Sequence, residues 1–104
     1  MSKTQPETFI RDIVRATLRA DGWFVFYIFQ GLGCYSGIAD LCAIKNGRVV
    51  WLEIKTQRGR QSDAQVRFQQ RLEAHGGVYR VVRGLEDVSD LIESPQPEQM
   101  RLAI

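Results

Sequence analysis

The chain has one histidine, His75, and two cysteines, Cys34 and Cys42, among 104 residues. So few soft ligands exclude a disulfide scaffold, and no familiar zinc spacing can be assembled from them. Cys42 lies in an apolar run and reads as a small buried hydrophobe. Long hydrophobic runs are also missing. The longest, Trp23 to Phe29, falls far short of the ~20 residues that cross a bilayer as a helix. Lys3, Glu7 and Arg11 interrupt any apolar stretch near the start, so the expectation is no signal peptide, a cytoplasmic setting and reduced thiols. Neither sign of charge dominates. With 14 basic and 12 acidic residues the net charge is only +2, so a nucleic-acid role would have to lie in the distribution of charge.

What is present suits one globular domain: 44% hydrophobic and 25% charged residues. The expected domain covers residues 1–94, and 95–104, with Pro95 and Pro97, is a polar tail. A core this small makes self-association a reasonable expectation. Thr4 as N-cap, Pro6 in the first turn and Glu7 three residues past the cap predict a helix. Its apolar stripe is Ile10, Ile13, Val14 and Leu18, and Asp21-Gly22 ends it. Trp23–Phe29 reads as a strand, and residues 30–37, with three glycines, as a flexible loop. Strands are predicted over Ile38–Ile44 and Val49–Lys55, joined through Asn46-Gly47 in a type I′ turn. Ser62 and Gln65 form a capping box for a second helix with Ala64, Phe68 and Leu72 on its buried side. Gly76-Gly77 ends that helix, Val78–Val82 is a further strand, and Leu85–Ile92 a short helix. The order is α-β-β-β-α-β-α: an α/β fold with a mixed central sheet flanked by helices.

The hairpin register makes a geometric prediction. With Asn46 and Gly47 as turn residues, Lys45 faces Arg48, Cys42 faces Trp51 and Asp40 faces Glu53. Two opposed carboxylates with Cα atoms roughly 4.5 Å apart destabilise a sheet. A divalent cation between them would resolve that, since Mg²⁺ is held by one or two carboxylates with water and phosphate. Lys55, two residues on, shares the face and could steady an attacking water or developing charge. The alternative is a solvent-facing pair with Lys55 merely neutralising Glu53. Trp51 and Cys42 on the same face, with the glycine-rich loop at its edge, favour a site.

Accessory residues have two compatible readings each. Glu7 completes a capping box, yet it lies beside the buried stripe as a third carboxylate. Gln65 caps its helix, yet it shares a side with Phe68 and Leu72. Arg58 and Arg60, beside the carboxylates, and Arg67 and Arg71, four residues apart, are candidate phosphate contacts. Arg11, Arg15 and Arg19 read as a solvated helix face.

Gly37-Ile38-Ala39-Asp40 followed by Glu53-Ile54-Lys55 resembles the PD-(D/E)xK motif of restriction-endonuclease-like nucleases. With Glu7 upstream and Ser62-x-x-Gln65 downstream, the chain is most similar to the VRR-NUC (virus-type replication-repair nuclease) domain. Ala39 replaces the proline frequent in the wider superfamily. The resemblance implies hydrolysis of DNA with Mg²⁺ or Mn²⁺. Asp40, Glu53, the Ile54 main-chain carbonyl and Glu7 would serve the metal, Lys55 the nucleophile, and Gln65 would support them. Stand-alone members, often from phages, are similar to Holliday-junction resolvases in being homodimers on branched DNA. The other readings are a DNA-binding module that does not cut and a nuclease-fold subunit of a replication or repair complex.

Overall fold

The structure is a computed structural model that describes residues 5–93. The expected cap Thr4 and the expected tail from 95 onward lie outside the described residues. Helix α1 spans Glu7–Ala20, strands β1 Phe24–Tyr27, β2 Leu41–Lys45 and β3 Arg48–Ile54, helix α2 Asp63–Ala74, and strand β4 Val78–Val82. A 3-10 helix, Leu85–Leu91, follows where an α-helix was expected. The sheet order is β1-β2-β3-β4, antiparallel except for the parallel β3–β4 pair. A mixed sheet between helices is the expected architecture.

The hairpin forms as its turn chemistry dictates. Asn46 and Gly47 both have positive φ, 51° and 79°, as a type I′ turn requires. The register then runs Lys45↔Arg48 through Cys42↔Trp51 to Leu41↔Leu52. There the regular ladder stops, three residues short of the expected start of β2. The Asp40 N–H donates to the Leu52 carbonyl, so Asp40 and Leu41 both address Leu52, the arrangement of a β-bulge. β1 is likewise shorter than expected. Trp23 stays outside it because its N–H is spent on the Leu18 carbonyl at the end of α1, while its indole N–H donates to the Leu91 carbonyl at 3.1 Å.

Both helices end in the same way. Gly22 and Gly76 adopt positive φ, and the next residue's N–H reaches back to Leu18 in α1 and Leu72 in α2. These Schellman closures explain why the chain turns sharply into β1 and β4. α2 starts with the expected capping box of Ser62 and Gln65. α1 does not start as expected: its N-cap is Pro6, which has no side chain to offer, and Glu7 is the first helical residue.

One sheet face holds the core. Ile10, Val14 and Leu18 of α1 pack on Leu41, Leu52 and Ile54, with Val88 and Leu91 closing the end. Fully burying a side chain of this kind is worth about 1.5–3 kcal/mol. The other face is only partly covered, because α2 lies over β4. Ala64, Phe68 and Leu72 do turn inward but are half-buried, and α2 has no fully buried residue. The alternation of β3 places Trp51 and Glu53 on this partly covered face, Trp51 half-buried and Glu53 buried.

Candidate active site

Alternation along β3 puts Val50, Leu52 and Ile54 on the core face, and therefore Trp51, Glu53 and Lys55 on the α2 face. Among the described residues Glu53 is the only buried charged side chain, 1% exposed. Burial first, then the neighbouring Asp40 carboxylate, push its pKa from the ordinary 4.5 up to about 8, with Lys55 pulling the other way. Two carboxyl groups are thus held side by side, as the hairpin count required, although Asp40 enters through the bulge and not through a ladder pair.

Asp40 is fixed by three bonds. Its N–H goes to Leu52, its carbonyl accepts from Ile28 N–H at 2.9 Å, and its Oδ2 accepts from Ile54 N–H at 2.7 Å. An extended residue turns its N–H and C=O to the same neighbouring strand. The Ile54 carbonyl therefore points to the Asp40 side, past the end of the β2–β3 ladder.

Around Glu53 the two oxygens differ. Oε2 accepts from the Gln65 amide at 3.0 Å and faces Lys55 Nζ at 3.6 Å. Oε1 is buried and has no partner. A bare, buried carboxyl oxygen costs about 1–3 kcal/mol if left unsatisfied, and more when it carries charge. Gln65 performs both of its expected roles together. Its Oε1 accepts from Ser62 N–H at 2.8 Å while its Nε2 holds Glu53.

Not every expected member gathers here. Glu7 is exposed on the first turn of α1, with no hydrogen bond or ion pair to Asp40 or Glu53. Among the described residues no three His, Cys, Asp or Glu side chains cluster as a ready metal cage. The donors brought together are two carboxylates and a main-chain carbonyl, all oxygen, a set that suits Mg²⁺ or Mn²⁺ and not zinc. Arg58, Arg60, Arg67 and Arg71 are all exposed. Arg67 and Arg71 line a groove with Tyr35 and Ser36 of the glycine-rich loop.

Three participants were not singled out from the sequence. Tyr79 pairs with Trp51 across the parallel strands, and burial, then Glu53, raise its hydroxyl above the ordinary phenol range. Gln61 donates to that hydroxyl at 3.1 Å and to Gln69 at 3.0 Å. Arg83 ties down the basic loop, its Nη1 donating to the carbonyls of Thr56 at 2.7 Å and Gly59 at 2.6 Å. Alternation along Val78–Val82 was the available signal for Tyr79, but nothing local sets a parallel register.

No protein-family model and no curated relative matches the chain. A solved structure described as a VRR_NUC domain aligns with a TM-score of 0.71 at 23% identity, over 82% of this chain and 91% of that one. The chain has the fold of a VRR_NUC domain.

Proposed function

We propose that this chain is a Mg²⁺- or Mn²⁺-dependent endodeoxyribonuclease, acting as a homodimer on branched DNA. The observation that carries the reading is the buried Glu53, beside Asp40, with one oxygen unpartnered and Lys55 Nζ 3.6 Å from the other. A group so placed destabilises the fold and has a purpose only if it meets something electropositive.

Asp40, Glu53 and the Ile54 carbonyl are the groups that would hold the cation, and exposed Glu7 would join only through water. When bound, such an ion supplies Lewis-acid polarisation of a phosphodiester and a more acidic water. The chain's own residues do the rest. Lys55 presents an ammonium beside the carboxylates, where it orients a water and offsets charge developing on phosphate oxygens. Gln65 keeps Glu53 from rotating, so its free oxygen stays aimed. Arg58, Arg60, Arg67 and Arg71 neutralise strand phosphates on the same side. The homodimer is supported by the uncovered end of this sheet face. Phe24, 64% exposed, and Phe26 lie 5.2 Å apart on edge strand β1, with no helix over them among the described residues. Branched DNA as substrate follows the resemblance of the motifs and the VRR_NUC fold.

The test is cleavage of linear and four-way DNA with Mg²⁺, Mn²⁺ or EDTA, by the wild type and Lys55→Ala. Metal-dependent cutting should fall by about 100-fold or more in the variant. Undiminished cutting would sink the mechanism.

A further inference from the structure

The groove beside the centre is built for more than phosphate. Tyr35 stands on the glycine-rich loop with 52% of its surface exposed, its ring 5.7 Å from that of Phe68 on α2. Phe68 is itself braced by Trp51 and Tyr79, at 6.0 Å and 6.1 Å. The loop is held in place. The Gln30 amide donates to the Ile38 and Ala39 carbonyls, and Gly37 lies so close to α2 that a Cβ there would sit 2.2 Å from the Ala64 carbonyl oxygen. Tyr35, Ser36, Phe68, Arg67 and Arg71 enclose about 240 Å³, with no acidic side chain in the lining. Among the described residues neither arginine is in an ion pair.

Flat aromatic faces flanked by unpaired guanidinium groups fit a ligand that is planar, apolar on its faces and anionic at its edge. We infer that the exposed face of Tyr35, whose ring leans at 59° on Phe68, is a stacking site for an unpaired nucleobase of the DNA strand, with Arg67 and Arg71 on its phosphates. The inference rests on DNA being the substrate. Position supports it. Phe68 follows Gln65 by three residues, about 4.5 Å along α2, and Arg71 by about 9 Å. Bases within a duplex have both faces covered, so this site discriminates for unpaired nucleotides, which a fork, flap or gap supplies and a fully paired junction does not.

The experiment measures binding in EDTA, at fixed salt, of a single-stranded oligonucleotide, a forked DNA and a blunt duplex. Tyr35→Ala should weaken binding of the first two by about tenfold and of the duplex by less than twofold. Tyr35→Trp should restore it. A 2-aminopurine at the unpaired position should be quenched by the wild type and not by Tyr35→Ala. Equal losses on duplex and single strand, unchanged single-strand binding, or absent quenching would each overturn the stacking site. A chain that binds unpaired DNA through Tyr35 but fails to cut in either Mg²⁺ or Mn²⁺ keeps this inference and ends the nuclease reading. Tyr35-independent binding with Lys55-dependent cutting does the reverse.

Discussion

Replacing Glu53 with glutamine should make the metal-free protein more stable in mild alkali while removing a group the site needs. Glu53 has an ordinary pKa of 4.5 in the unfolded chain and about 8 in the fold. Its folded pKa is raised, so the favourable contribution is fully present below pH 4.5 and is lost as pH rises through about 8. Within that window the folded state holds a proton the unfolded state has released. Stability then falls by about 1.4 kcal/mol per pH unit, to a ceiling of about 5 kcal/mol. Glutamine has nearly the same shape and can still accept from Gln65, and it gives up the buried Lys55 pairing at every pH, so the trend of the difference with pH carries the test. The assay is urea unfolding of both proteins from pH 5 to pH 9 in EDTA. The difference between them isolates Glu53 from every other titrating group. It should swing toward the glutamine variant by several kcal/mol across the range, and Mg²⁺ at pH 8 should stabilise the wild type alone. A difference that stays flat with pH, or a variant that loses ground as pH rises, refutes the account of Glu53.

Gly37→Ala should lower stability by about 2 kcal/mol or more, because φ is +79° and the new Cβ would meet backbone of α2, which cannot rotate away. Thermal melts in EDTA check this, and a change below the measurement error would show that the loop is not seated on α2. Arg83→Met should free the loop that carries Arg58 and Arg60, since Arg83 bonds its carbonyls. Limited trypsin digestion should then cut after Arg58 or Arg60 several-fold faster, with stability down by about 1–3 kcal/mol. Unchanged digestion would assign the loop's order to other contacts.

The parts of this molecule visible in its sequence are those governed by neighbours in sequence. Asn46-Gly47 sets the register of β2 on β3 because a two-residue turn with positive φ leaves no freedom to slip. That one local fact carries the ladder as far as Leu41↔Leu52, and the bulge at Asp40 completes the approach to Glu53. The limits have the same origin. Tyr79 reaches the site through a parallel pairing whose register depends on how α2 packs, and Arg83 acts on a loop 24 residues away. Strand ends differ from expectation where another group took a ladder position: the Asp40 carboxylate accepts from the Ile54 N–H, and the Trp23 N–H is spent on the Leu18 carbonyl in the closure of α1. Glu7 joined the candidate set by its place along α1. Helical periodicity sets which way a side chain leaves the helix, and where the first turn stands over the sheet is a tertiary matter.

Gln65 shows why a capping signal and a site signal were inseparable in the sequence. Its amide has one acceptor and two donor positions. The acceptor closes the capping box on Ser62, which fixes the side chain's rotation, and the amide nitrogen is thereby turned to Glu53. Capping geometry therefore places the donor, and the first turn of α2 holds the buried Glu53 carboxyl group in position. A residue that served only as a cap could be glutamate, the commoner partner in this box. Here a glutamate would set a third carboxylate against Glu53 with no donor to offer, raising the charge the centre must absorb. Glutamine satisfies the helix start and Glu53 together, which is the arrangement expected if the cap was chosen for the site it faces.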